Sequence, residues 1–381
     1  MKILFITHYD NMYGANKALL NLIEGLVSHG GFEPMLVIPG KGDMTSRMEE
    51  LGVPYIICGV TQWQAPYNDA FRFAVKKIIR KKKIKEETDY LYDRLKDEKI
   101  DVIHSNSGVI GHGAMLAKKL GCRHIWHIRE FSKEHFEMRY FYPSKTVTDY
   151  YNSAFRLIAI SDSIKNNYKN KYPLAKIIRI YDGIDPADFI NSDNSEKNHQ
   201  KDNIFRFVYV GYLYEKKHQL EVLKAAYNLL GKTDRTFELY VVGDGKKEYR
   251  SKLEDYINGN GMTNVFLTGY RDDIRQMLRT MDAGIIASEY EGFGLVTVEY
   301  MLSSLPVIGY NHSGTSEIVE NKETGILYND EDGLVSAMEY CLNNPDEIRK
   351  MGVKGKKRAE KKFTAEKNTA EIITMYKELL S

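Results

Sequence analysis

The sequence predicts an α/β protein built from two doubly wound domains, each with a parallel sheet. Three observations carry this. Short apolar runs recur along the chain with helix-compatible segments between most of them, which is the pattern of parallel strands joined by crossover helices. The alternation stops once, at residues 191–203, which hold no aliphatic residue and no Phe, Tyr or Trp, and it restarts at Phe205. The 381 residues also exceed one ordinary core at about 150 residues per domain. The expected division is therefore residues 1–190, a linker at 191–203 and a second domain from 204 onward.

Taken in order, residues 3–7 form a buried strand, 8–16 a loop containing Gly14, and the residues to about 28 an amphipathic helix. Further strands are expected at 35–38, 55–58, 102–104, 125–128, 157–160 and 177–180. A turn follows at Tyr181-Asp182-Gly183-Ile184-Asp185-Pro186. Three strand candidates end in histidine, at His8, His104 and His127, and in an open parallel sheet all three project at the carboxyl edge where ligands bind. Three histidines also suit zinc, but no carboxylate or cysteine shares their spacing, and each is equally compatible with a structural role. His127, with Arg129 and Glu130 beside it, is the favoured ligand contact.

The second domain repeats the pattern at 205–210, 239–242, 265–267, 283–287, 307–308 and 326–328. Its first loop, 211–218, begins with Gly211 and carries Lys216 and Lys217 at the start of a helix, a placement suited to a diphosphate. Gly243-Asp244-Gly245 follows the next strand but lacks the third glycine of GxGxxG, so NAD is poorly supported. Asp330-Glu331-Asp332 has the look of a metal triplet, yet a helix N-terminus explains it better.

Composition excludes several classes. Lysine and arginine total 54 against 52 acidic residues, a net charge of +2, which does not suit a nucleic-acid binder driven by bulk charge. Cys58, Cys122 and Cys341 have no CxxC spacing, so neither a disulfide framework nor a zinc ribbon is encoded, and a reducing cytosol is expected. The apolar core before His8 is too short for a signal peptide, and no apolar run reaches about 18 residues. The expectation is a cytoplasmic protein with peripheral contact on the inner face of the membrane. That contact would come through residues 71–85, where Phe71, Val75, Ile78 and Ile79 alternate with a basic run that includes Lys81, Lys82, Lys83 and Lys85. A surface helix with a solvated face accounts for the same run.

The most informative stretch is 288–299, Ser-Glu-Tyr-Glu-Gly-Phe-Gly-Leu-Val-Thr-Val-Glu, placed after the apolar run 283–287. Leu295, Val298, Met301 and Leu302 have helical spacing, so the order is strand, glycine loop, helix. The first helical N–H groups have no internal partner and suit a phosphate. Glu291 and Glu299 both border this place. Beside a phosphate two carboxylates would accept hydrogen bonds from hydroxyl groups, which fits a ligand with both diphosphate and sugars. An ordinary strand-to-helix turn with solvated glutamates is the competing reading.

With these residues placed, the chain resembles the retaining glycosyltransferases of family 4 (group 1), of the GT-B fold, over nearly its whole length. The resemblance is carried by Glu291 and Glu299 with seven residues between them, by Glu291-Gly292-Phe293-Gly294, Leu305-Pro306-Val307-Ile308, Gly314-Thr315-Ser316-Glu317-Ile318-Val319 and Thr324-Gly325-Ile326-Leu327, and by Gly183-Ile184-Asp185. It implies two Rossmann-like domains facing each other across a cleft, with the acceptor on the first, the nucleotide-sugar donor on the second at 204–363, and a C-terminal helix within 364–381 crossing back. It further implies that Glu291 holds donor-sugar hydroxyls, Glu299 the ribose, and the amides of Phe293, Gly294 and Leu295 the sugar and phosphates. Lys217 matches the diphosphate lysine, Gly14 the first-loop glycine and His127 the histidine near the transferred sugar; Gly211 and Gly243 complete the donor side.

Two positions depart from the family pattern. Tyr212 follows Gly211 where arginine is common, and Tyr13 precedes Gly14 where a second glycine is common. The implied activity is metal-independent, cofactor-free, retaining transfer of a hexose or N-acetylhexosamine from a nucleoside-diphosphate sugar, UDP before GDP. The acceptor would be a glycan or lipid-linked glycan, by analogy with capsule, O-antigen or exopolysaccharide assembly. A nucleotide-sugar epimerase and a non-catalytic nucleotide- or carbohydrate-binding protein are the alternatives.

Overall fold

The computed structural model describes residues 1–67, 70–131, 137–189 and 203–379. The chain divides into two compact units, Met1–Gly183 with Ala365–Ser381, and Ile184–Thr364. The first unit thus ends before the expected boundary at 190. The reason is local: Ile184 N donates to Phe363 O (3.0 Å) and Ile184 bridges to Thr364, which ties residues 184–189 to the second unit. Apart from Asn203, the predicted linker lies outside the described residues.

In the first unit the strands are β1 (Lys2–Ile6), β2 (Glu33–Ile38), β3 (Tyr55–Ile57), β4 (Gln64–Pro66), β5 (Val102–Ser105), β6 (Arg123–Ile128), β7 (Met138–Tyr140), β8 (Arg156–Ala159) and β9 (Ile177–Arg179). The helices between them are α1 (Gly14–His29), α2 (Asp43–Glu50), α3 (Ala70–Leu95), α4 (His112–Leu120), α5 (Ser144–Ser153) and α6 (Asp162–Lys171). Seven strands form one parallel sheet in the order β3-β2-β1-β5-β6-β8-β9. Ile3 and Phe5 pack under α1 through Leu22, Ile23 and Leu26, together with Ile372 and Tyr376 of the C-terminal helix. Leu4 and Ile6 face the other way, toward Leu91, Leu95 and Leu116. Alternate residues of one strand therefore serve two apolar layers, so the strands read as unbroken apolar runs.

The remaining pair, β4 and β7, is a short antiparallel ribbon that the sequence did not announce. Three residues are too few to show a period.

In the second unit β10 (Phe205–Val210), β11 (Phe237–Val242), β12 (Val265–Gly269), β13 (Ala283–Ile286), β14 (Val307–Tyr310) and β15 (Gly325–Tyr328) form a parallel sheet in the order β12-β11-β10-β13-β14-β15. The helices are α7 (Gln219–Leu230), α8 (Lys247–Gly259), α9 (Ile274–Leu278), α10 (Leu295–Leu302), α11 (Ser313–Ile318), α12 (Glu331–Asn343) and α13 (Pro345–Lys362). After α13 the chain returns to the first unit as α14 (Ala365–Lys377). Strand order reverses between β1 and β5 in one sheet and between β10 and β13 in the other. In doubly wound sheets the ligand crevice lies at the carboxyl ends beside such a reversal.

Two of the three histidines do not project beyond that edge. His104 is the third residue of β5 and His127 the fifth of β6, and their exposures are 0% and 1%. A sheet covered on both faces places even its late strand residues under a helix. Here that helix is α14, whose Tyr376 hydroxyl meets His104 Nδ1 at 2.5 Å.

Candidate active site

The loops after β10 and β13 flank the reversal in the second sheet, and they carry Lys217 and Glu291. Lys217 ends a single 3-10 turn, Glu215–Lys217. Its carbonyl accepts from the buried Tyr209 hydroxyl (2.7 Å), and its ammonium donates to Glu291 Oε2 (2.7 Å). Both side chains are about three-quarters screened from solvent, so the pair is stronger than a surface ion pair.

Glu291 is held by its backbone as well. Gly314 N donates to Glu291 O (3.0 Å), and a Cβ at Gly314 would stand 2.5 Å from Phe293 O. The start of α11 therefore presses directly on the loop. Gly294 caps α10 with φ of 102°, a conformation that side chains disfavour. Phe293 is buried against Phe363, with ring centroids 5.6 Å apart. That burial sets the loop just before the N–H groups of the first turn of α10.

Glu299 sits in α10 beside Tyr300, and Tyr300 explains why the two strands part here. Strands β10 and β13 pair only through Phe207–Ala283 and Val208–Gly284. Beyond that point Val210 N donates to the Tyr300 hydroxyl (2.7 Å), which itself donates to Val208 O (3.3 Å). A side chain thus replaces a strand partner at the carboxyl edge of β10. Its ring covers Gly284, where a Cβ would lie 2.2 Å away.

Gly243 lies close to Gly211 for a packing reason. It has φ of 136°, and a Cβ there would be 2.1 Å from Gly211 O, while Gly211 N donates to Val242 O. Tyr212, in the arginine position, is 52% exposed. Sequence reasoning missed Thr297, whose buried hydroxyl beside Gly294 has no hydrogen-bond partner among the described residues. Asp330 is the N-cap of α12, its carboxylate accepting from Gly333 N (2.8 Å), which removes it from any metal triplet. Among the described residues no group of three or more His, Cys, Asp or Glu is placed to hold a metal.

The first unit has its own polar cluster at the carboxyl side of β5 and β6. His127 Nδ1 lies 3.3 Å from His104 Nε2 and 3.4 Å from Arg129 Nη2. A guanidinium only donates, so Nδ1 accepts and the proton of neutral His127 is on Nε2. His104 then donates from Nε2 and accepts the Tyr376 hydroxyl proton at Nδ1. Burial and the Arg129 charge hold His127 well below its ordinary pKa, and burial takes His104 down to about 3. Both rings are neutral at pH 7. Among the described residues His127 Nε2 has no hydrogen-bond partner, and Asp182 Oδ1 lies 3.7 Å from it.

Arg129 also pairs with Asp182 and donates from Nε to Asn106 Oδ1 (3.1 Å). Burial nonetheless raises the pKa of Asp182, and it does the same for Glu130, which accepts from the Ser107 hydroxyl (2.9 Å). Asn106 Nδ2 donates to Ala15 O (3.1 Å), next to Gly14, and Asn16 Nδ2 donates to Tyr9 O and Asn11 O. Asn16, Asn106 and Asp182 were not singled out from sequence. The only signal for Asn106 and Asp182 there is that they are small polar residues just after apolar runs, and Asn16 follows Gly14 by two residues at the start of α1. Gly14 and His127 therefore belong to the first unit, and the other expected site residues gather in the second.

Two family models match consecutive parts of the chain, Glycosyltransferase Family 4 over residues 12–188 and Glycosyl transferases group 1 over 191–358. The chain belongs to the group 1, family 4 glycosyltransferases, and its fold is GT-B. It is 29% identical to the uncharacterized glycosyltransferase MJ1178 of Methanocaldococcus jannaschii, over 75% of this chain and 77% of that one. It is 28% identical to the UDP-Gal:alpha-D-GlcNAc-diphosphoundecaprenol alpha-1,3-galactosyltransferase of Escherichia coli, over 65% and 68%. Among solved structures, Anabaena Alr3699/HepE in complex with UDP and glucose superposes with a TM-score of 0.78 at 18% identity, covering 99% of this chain and 100% of that one.

Proposed function

We propose that this glycosyltransferase transfers a hexose or N-acetylhexosamine from a UDP-sugar, with retention and without a metal, to a glycan or lipid-linked glycan during polysaccharide assembly. The observation that carries the reading is the Lys217–Glu291 pair beside the glycine loop and the first turn of α10. A diphosphate bound there would meet the Lys217 ammonium and the orphan N–H groups of α10, and the sugar hydroxyls would meet Glu291. Glu299 would take the ribose. In the first unit His127 carries its proton on the buried Nε2, and a role beside the transferred sugar would require that atom to be uncovered.

No carboxylate is assigned as a nucleophile. The acceptor attacks the anomeric carbon from the face that the diphosphate leaves, through an oxocarbenium-like state, and the departing phosphate oxygen takes the acceptor proton. Position and charge stabilisation are then the protein's contributions. The E. coli relative, whose name specifies UDP-Gal and a diphosphoundecaprenol-linked acceptor, and the UDP-bound Anabaena structure support the donor base and the lipid-linked acceptor class. An exposed basic stretch of α3 supports a membrane-held acceptor.

The test is a thermal-shift panel with UDP, GDP, ADP, CMP and NAD, since ligand at 100 times its Kd stabilises by about 2.7 kcal/mol. UDP alone should stabilise, and Glu299→Ala should abolish most of the shift. In turnover assays run in chelator, Glu291→Gln should lower the rate by on the order of 10²-fold. The product should keep the donor's anomeric configuration by NMR. Stabilisation by NAD alone, or normal turnover in Glu291→Gln, would refute the reading.

A further inference from the structure

Helix α3 has two apolar faces. One is buried: Ile84, Leu91 and Leu95 face the core. The Glu87 carboxylate locks the same half of the helix to the body, accepting from Thr61 N and Oγ1 (2.9 Å each) and from His112 Nε2 (2.8 Å). The other face lies in the N-terminal half. There Phe71, Val75, Ile78 and Ile79 are 78, 42, 73 and 59% exposed. Their spacing of i, i+4, i+7 and i+8 sets them on one stripe, and at about 100° per residue that stripe points away from Ile84, Leu91 and Leu95.

The flanks of the stripe are basic. Between residues 70 and 85 there are eight lysines and arginines and no acidic residue, although the whole chain carries only +2. Lys82, Lys83 and Lys85 meet Glu86, Glu87 and Asp89 one turn later, and Lys81 lies over the Tyr142 ring (5.1 Å). Lys76, Lys77 and Arg80 have no ion pair among the described residues. Within the described residues no helix is long and apolar enough to cross a membrane.

We propose that this outer face of α3 docks on the surface of an anionic lipid bilayer, with the four apolar side chains entering the interface and the basic flanks meeting the headgroups. The chemistry of the face selects that occupant. A second copy of the chain would bring eight cations against eight, and a nucleic acid would meet the cations but leave the apolar stripe in water. Lipid satisfies both parts. The inference deepens the proposed function by naming where the acceptor is held, but vesicle binding is read without donor or acceptor, so either can fail alone.

The experiment is flotation of the full chain with vesicles of phosphatidylcholine alone and of phosphatidylcholine mixed with phosphatidylglycerol. Binding is expected only to the mixed vesicles, and salt should release it. Each lysine near an anionic surface is worth about five-fold in partitioning, so Lys76→Glu with Lys77→Glu should cost about 25-fold or more. Ile78→Ser with Ile79→Ser should cost about ten-fold or more; Phe71→Ser provides a second apolar variant. Unchanged urea midpoints by tryptophan fluorescence will show that the variants fold. Absence of binding to mixed vesicles, or full binding by the charge variant, overturns the proposal. So does full binding by both apolar variants, which means simple polyanion attraction, or a solution dimer that the Ile78 and Ile79 changes dissolve.

Discussion

Lys217 and Glu291 illustrate what single residues decide in the second unit. Their 2.7 Å contact holds the ammonium at the crevice before any ligand arrives, with the Lys217 carbonyl fixed from below by Tyr209. A hydrogen bond to a charged group is worth about 1.5–3 kcal/mol, roughly 10- to 100-fold in affinity. Lys217→Ala is therefore expected to weaken UDP binding by that factor and UMP binding much less, because the lysine is assigned to the diphosphate. Titration calorimetry with the two nucleotides checks this, and equal losses for both would contradict the assignment. In the first unit, Arg129 decides the tautomer of His127, since a guanidinium near Nδ1 leaves only Nε2 to carry the proton.

At the scale of the element, α10 depends on Tyr300. The tyrosine hydroxyl accepts from Val210 N and donates to Val208 O, and so closes the sheet where β13 has left β10. Tyr300→Phe removes that acceptor and leaves a part-buried N–H unsatisfied, at a cost of about 1–3 kcal/mol. Urea unfolding should show a loss of that size, accompanied by weaker UDP binding as Glu299, the adjacent residue, shifts with the helix. An unchanged unfolding free energy would show that the strand edge has another partner.

For the whole molecule, the buried histidines are unevenly shared. Burial holds His8 at about 4, His104 and His124 at about 3, and His127 well below its ordinary value, and all four lie in the first unit. An unfolded histidine takes up its proton near 6.5. The stability that these rings contribute is thus fully present above pH 6.5 and is lost as pH falls toward 4, by about 1.4 kcal/mol per pH unit for each ring. Glu130 and Asp182 act in the opposite sense, because burial raises them and the folded state keeps their protons to higher pH. They oppose part of that loss, and with four rings against two carboxyls the fall in stability is expected to prevail. Both tryptophans, Trp63 and Trp126, belong to the same unit, so their fluorescence reports it alone. The urea midpoint read by fluorescence should fall steeply between pH 7 and pH 5, and His124→Asn should flatten the fall. A midpoint independent of pH would contradict the burial argument.

The sequence by itself determined the α/β class, the strands of both parallel sheets and the strand–loop–helix order around Glu291. These rest on local signals: apolar runs of strand length, helical spacing and glycine placement. The local reading also placed Glu291 and Glu299 at one site and Lys217 at the start of a helix, and the family resemblance added the separate role of each. Only the tertiary structure decided where the first unit ends, because the bond from Ile184 to Phe363 joins residues far apart in the chain. The burial of His104 and His127 follows from α14 returning across more than two hundred residues to cover the first sheet. The roles of Asn106, Asp182 and Tyr300 were illegible for the same reason. Each acts on a partner supplied by another strand or loop, and no periodicity in a one-dimensional sequence records which strand lies beside which.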